Sequence, residues 1–203
     1  EALIRCYDPC ISCATHFLDL STQRPRTITR LAATSWWDVN LAGGDQPERV
    51  QGARVSPDFM SMLSVVPQLG RDFAAGDAVY GNHRVAILSH GLWQRRFGGS
   101  PQIVGQTVKL DGETYTVIGV APVSFDFPDA TEIWAPRAFD ADESTNWGSR
   151  YLTVMAQLAP GATIADAQAE ATARYASVKR DHPDATRDTS LVVQSFTSAM
   201  VDI

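Results

Sequence analysis

Cys10 and Cys13, with His16 three residues further on, form the cluster in this chain whose residue types and spacing suit metal or redox chemistry. A thiolate pair at this spacing converges on one soft or borderline metal ion, and the turn opened by Asp8-Pro9 sets both sulfurs near a helix N-terminus that lowers their pKa. Two ligands are only half of a structural site, and no second Cys-x-x-Cys pair follows. The third cysteine, Cys6, ends the stretch "ALIRC", which reads as a strand. A strand leading into Cys-x-x-Cys also mimics a thiol-redox arrangement, but the βαβ sheet that should follow is not what comes next.

Other candidates for chemistry are thinner. Ser89 stands beside His90, but adjacent residues at a helix start point apart, and helix capping explains the serine. His83 and His90 lack the carboxylate spacing of a zinc motif and read as surface or core histidines. The carboxylates of "DADES" (140 to 144) and "DHPDATRD" (181 to 188) do not follow the Asp-x-Asp-x-Asp-Gly order of a calcium loop and read as solvated loops. Of the five tryptophans, Trp36, Trp37, Trp93 and Trp134 sit beside strands or helices where core packing is the default, and Trp147 reads as exposed.

The rest of the chain is built of short strands and clear punctuation. "WDVNL" (37 to 41) and "RVQGARV" (49 to 55) alternate apolar and polar residues around a Gly- and Pro-bearing loop, the pattern of a hairpin. Ser56, Pro57 and Asp58 predict a short helix beginning at Ser56. "RVAILS" (84 to 89) is an apolar strand running into a helix that Ser89 caps and Gly98-Gly99 ends. The Asp111-Gly112 pair between two alternating runs (107 to 120) predicts a tight hairpin, because both central residues of a type I′ turn take positive φ. "RYLTVMAQL" (150 to 158) is a half-buried strand, Thr163 and Asp166 cap a helix whose apolar residues recur through Val178, and "SLVVQSF" (190 to 196) is a further strand. The fold class is therefore mixed α/β.

The totals agree. At 203 residues, 44% hydrophobic and 20% charged, the chain can bury a core and is too apolar for disorder. A net charge of −6 and a pI near 5.1 repel nucleic-acid phosphates and anionic membranes on average. The basic clusters "RPRTITR" (24 to 30) and "QRRF" (94 to 97) read as solvated faces. No apolar run approaches the ~18 to 20 residues that span a bilayer, so the chain reads as soluble.

"VQGARVSPDFMSMLSVVPQLGRDF" (50 to 73), "VAILSHGLWQRRFGGSPQIVGQTVKLDGETYTVIGVAP" (85 to 122), the pair "FDFP" and "IWAP" (125 to 136) and "RYLTVMAQLAPGATIADAQAE" (150 to 170) resemble the MacB-like periplasmic core domain of ABC transporter permeases, over roughly residues 17 to 203. Met60 and Ser64 depart from the family's expected Phe and Gly. The resemblance implies a non-catalytic domain without a cofactor, on the periplasmic side of the bacterial inner membrane. Its fold would be a porter-like part of strand-helix-strand units (17 to 80 and 141 to 203) with an inserted small strand-rich subdomain (81 to 140). The partners implied are membrane helices and the ATPase subunit of the same transporter, and a periplasmic adaptor protein. The domain would relay conformational change, bind no nucleic acid and be a monomer when isolated.

"YDPCISCATH" (7 to 16) separately resembles the C-terminal signature of nickel-iron hydrogenase large subunits. That resemblance would make Cys10 and Cys13 nickel ligands and His16 the end of the mature chain, with a nickel-iron centre incomplete here. Three readings of residues 1 to 16 stand: an inactive fusion remnant, which is preferred and would be loosely held, a hydrogenase end contributing metal ligands, and a thiol-redox site.

Overall fold

The computed structural model describes residues 3–7, 26–42, 47–128, 130–144, 151–181, 183–184 and 191–195. In chain order the strands are β1 (Leu3–Tyr7), β2 (Ile28–Ala42), β3 (Glu48–Val55), β4 (Leu69–Gly70), β5 (Val85–Leu88), β6 (Thr107–Leu110), β7 (Glu113–Val120), β8 (Ile133–Pro136), β9 (Thr153–Leu158) and β10 (Val192–Ser195). The helices are α1 (Phe59–Met62), α2 (His90–Phe97), α3 (Ala141–Ser144) and α4 (Ile164–Asp181). They form two compact units, Glu1–Ala33 with Phe139–Ile203, and Thr34–Ala138. The break expected at residue 80 falls inside the second unit, because the β2–β3 hairpin pairs with β6 and β8.

In the first unit the strand order is β10-β1-β9-β2. β1 runs antiparallel to both neighbours, with Cys6 opposite Val193 on one side and Val154 on the other. The segment Leu3–Tyr7 is thus an inner strand rather than a loose remnant. Weighing it by apolar side chains alone omits the ladder hydrogen bonds gained along both of its edges. Residues 8 to 25 lie outside the described residues. α4 starts as its sequence predicts: Thr163 N donates to Asp166 Oδ2 at 2.9 Å and Asp166 N to Thr163 Oγ1 at 3.2 Å. Its buried stripe of Ala167, Ala171, Tyr175 and Val178 packs with Leu31, Ala33, Leu152, Val154, Ala156 and Val193. "DADES" forms the single turn α3 rather than an open loop, since Asp140 Oδ1 accepts from Glu143 N at 2.7 Å.

Glu170 fastens the chain entering β2 to α4. Its carboxylate accepts from the Arg26 and Thr27 N–H groups at 3.0 and 2.9 Å, from Thr27 Oγ1 at 2.6 Å and from Arg174 Nη2 at 3.0 Å. Burial pushes the carboxyl up, but these donors outweigh it and hold it at about 2, down from 4.5. A folded value below the unfolded one means that the contribution is complete above about pH 4.5 and is lost as pH falls toward 2. After allowance for solvent screening, Glu170→Gln should cost about 1–2 kcal/mol at pH 7. Urea unfolding should show the difference shrinking to a fraction of that near pH 2.5; an unchanged gap would mean that the carboxylate's charge is not what matters.

In the second unit the pairings close on themselves. β2 pairs β3 (Trp37 opposite Gly52), β3 pairs β8 in parallel (Arg54 opposite Ala135), and β8 pairs β5 (Ile133 opposite Leu88). β5 pairs β7 in parallel (Ala86 opposite Val117), β7 pairs β6 (Tyr115 opposite Val108), and β6 returns to β2 (Leu110 opposite Leu41). Side chains alternate across a strand, so one face of every strand points into this six-stranded ring. Val39, Leu41, Val50, Ala86, Leu88, Val108, Leu110, Tyr115, Val117, Ile133 and Ala135 share that interior, with Leu92 of α2 packed into the same cluster. The β6–β7 hairpin turns as its sequence predicts, with φ of 50° at Asp111 and 84° at Gly112.

Three expectations change. β2 begins nine residues before "WDVNL", because Leu31 through Ser35 are buried in succession and show no period of two. α1 is a single turn starting at Phe59, with Asp58 rather than Ser56 at its N-cap; Ser64, at φ 58°, takes the left-handed conformation where the family's glycine is expected. Trp36 is 57% exposed, since Trp37 beside it takes the inward position on β2. Trp147 lies outside the described residues.

Candidate functional site

A groove of about 530 Å³ opens in the second unit where β5 passes into α2. Its floor is tied together by backbone: Ser89 N donates to Glu132 O at 2.7 Å, and Glu132 N to Gln51 O at 2.8 Å. Arg49, Gln51, Thr131 and Glu132 line it together with Val123, Phe125 and Asp126, with His90 and Gly91 at the head of α2. Phe125 is held by aromatic packing, lying 5.2 Å from Trp134 and 6.4 Å from Phe59.

Ion pairs fix the charged rim. Arg95 Nη2 reaches Glu48 at 2.7 Å and Glu132 at 2.8 Å, and Arg96 Nε reaches Glu48 at 3.3 Å. "QRRF" keeps Gln94 and Arg95 exposed, as the sequence suggests, and its two arginines also tie α2 to the carboxylates of Glu48 and Glu132. Burial pulls the Arg95 guanidinium down, but hydrogen bonds to Glu132 and Glu48 outweigh this and raise it.

Among the described residues the groove brings no nucleophile and base into register. Ser89 Oγ accepts from Leu92 N at 3.0 Å, so it caps α2 as the sequence predicts. His90 Nδ1 accepts from Gln68 Nε2 at 2.7 Å, and its ring meets Trp93 edge-on at 5.5 Å. Gln68 also donates to Ala121 O at 2.8 Å, which joins the loop carrying Val66 to the loop carrying Val123. Val123, which lines the groove, is 73% exposed and offers apolar contact beside its polar groups. His83 and His90 belong to different surroundings and do not converge on a metal. Among the described residues no group of three or more His, Cys, Asp or Glu side chains could hold an ion. Cys10, Cys13 and His16 lie outside the described residues. The sequence singled out those cysteines and missed the groove, whose lining residues come from four separate stretches.

Comparisons with known proteins agree on one kind of domain. The family model described as "MacB-like periplasmic core domain" matches residues 15–174. The periplasmic region of MacB from Actinobacillus actinomycetemcomitans superposes with a TM-score of 0.72 at 13% identity, over 100% of this chain and 92% of that one. The extracellular domain of the noncanonic ABC-type transporter YknZ from Gram-positive bacteria gives 0.65 at 16% identity, over 96% and 99%. A domain of a putative permease from Porphyromonas gingivalis gives 0.69 at 14% identity, over 96% and 89%. No curated protein matches the sequence. The hydrogenase-like reading of residues 1 to 16 gains no support from these matches. Among the described residues no helix is long and apolar enough to cross a membrane, and the chain belongs to the MacB-like periplasmic core domain family, as an extracytoplasmic domain of an ABC-type transporter permease.

Proposed function

We propose that the domain relays ATP-driven motion of membrane helices in its permease to a partner or cargo outside the membrane, with the groove at the head of α2 as the contact surface. The observation that carries this reading is β2: one strand of fifteen residues, of which those up to Ala33 belong to the first unit and those from Thr34 to the second. Displacement applied to one unit has a covalent route into the other along this strand. Membrane helices, an ATPase subunit and a periplasmic adaptor are the partners this reading requires. The groove supports it through its mixed character, an exposed valine beside clamped charges, which suits a contact that is made and broken. Its test is the distance between the two units through the ATP cycle of the whole transporter.

A further inference from the structure

The interior of the six-stranded ring is apolar except at one mouth. Arg54 follows Val50 and Gly52 on the inward face of β3, and Arg137 follows Ile133 and Ala135 on that of β8. Arg84 precedes Ala86 and Leu88 on the same face of β5. Three adjacent strands therefore each direct one arginine to the same mouth. The ladder continues through them, since Arg137 N donates to Val55 O at 2.7 Å and Arg84 O accepts from Thr116 N at 2.9 Å.

Inward-facing arginines are rare because removing a guanidinium from water is costly unless its charge is met. Among the described residues Arg54 is held by neutral groups: it lies 4.2 Å over the Trp37 ring and donates to the Tyr115 hydroxyl at 3.0 Å. Arg84 pairs with Glu113 at 2.6 Å. His83 sits among them, its Nδ1 accepting from Gly81 N at 3.2 Å and its ring stacked on Tyr80 at 5.1 Å. Burial holds the His83 imidazole below its ordinary pKa, with Arg54, Arg84 and Arg137 adding to the depression and Glu113, the one acidic group acting on it among the described residues, opposing them. In a chain of net charge −6 this is a local positive field.

We infer that this mouth binds an acidic segment of a partner protein, its carboxylates taken by Arg54 and Arg84 and its chain lying against Tyr80 and Val79. Neighbouring strands are about 4.8 Å apart, so Arg54 and Arg84, on the strands either side of β8, stand roughly 10 Å apart at the backbone, wider than a single phosphate. An extended peptide places alternate side chains about 7 Å apart on one face, which matches two carboxylates to that row. Tyr80 and Val79, 62% and 55% exposed, supply the apolar strip beside it.

The site can be read through His83, because an anion bound among the arginines offsets their field and raises the imidazole pKa. NMR titration of the chain, with the His83 signal assigned from His83→Gln, is run with a short peptide carrying two glutamates at alternate positions, with its glutamine counterpart and with inorganic phosphate at equal ionic strength. The glutamate peptide should raise the His83 pKa by roughly half a unit or more, while the glutamine peptide leaves it in place and phosphate moves it less. Arg84→Gln, at an exposed position that preserves the fold, should weaken the peptide roughly three- to tenfold. No shift with the glutamate peptide, an equal shift with phosphate, or full affinity in Arg84→Gln would overturn the assignment.

Discussion

Replacing Trp134 with alanine should remove about 3–5 kcal/mol of stability, a large share of what a domain of this size has. Trp134 is fully buried on the outward face of β8, against Phe125 at 5.2 Å, and Phe125 in turn meets Phe59 of α1. Its Nε1 donates to Phe127 O at 2.9 Å, so truncation leaves a cavity and also strips a carbonyl of its donor. Phe127 stacks on Phe59 at 6.0 Å, and the loss therefore spreads to the wall of the groove. Urea unfolding measures it through a fall in midpoint at unchanged slope. Trp134→Phe keeps most of the ring and loses the hydrogen bond, and should cost about 1–2 kcal/mol. A loss below about 1 kcal/mol for the alanine variant would show that the loop from Phe125 to Phe127 is not seated on this side chain.

The second large effect belongs to Gly70. It stands at φ 78°, and a Cβ there would lie 2.1 Å from Ile118 O and 2.8 Å from Gly119 Cα. Both obstacles are backbone atoms of β7, so no rotamer change relieves them. Gly70→Ala must part β4 from β7 and also bear the left-handed strain of an L-residue, together about 2–4 kcal/mol. Because Arg71 N donates to Ile118 O at 2.9 Å beside the clash, exchange of that amide should speed up more than exchange of the β3 amides. Gly112 offers the contrast. Its φ is 84° but nothing lies within 4 Å of a Cβ, so Gly112→Ala meets only the conformational strain, about 1–2 kcal/mol.

Local signals in the sequence were legible where the physics is local. Ser89 and Gly98 bound α2, Thr163 with Asp166 opens α4, and Asp111-Gly112 turns the β6–β7 hairpin, each through hydrogen bonds or φ angles set within a few residues. Ring closure was not legible. The parallel pairing of β3 with β8 and the return of β6 to β2 join segments some seventy to eighty residues apart, and nothing local marks a strand for one distant edge over another. The early part of β2 stayed hidden because burial on both faces erases alternation. The arginine mouth is the extreme case: Arg54, Arg84 and Arg137 are ordinary in sequence and come together only through the register of three strands. A cysteine pair drew attention because its spacing is a short-range pattern, whereas the groove and the mouth are long-range ones.

The relay is tested most directly by pulsed electron spin resonance on the whole transporter, reconstituted with its ATPase in lipid nanodiscs. Nitroxide labels at Ala169 on α4 and at Val66, both exposed, report one unit each; carrying them on non-canonical amino acids leaves the three native cysteines untouched. The relay predicts a distance distribution that shifts by several ångström between the ATP-free and ATP-trapped states, as displacement of one unit ahead of the other requires. An unchanged distribution in a transporter shown to be hydrolysing ATP would contradict it.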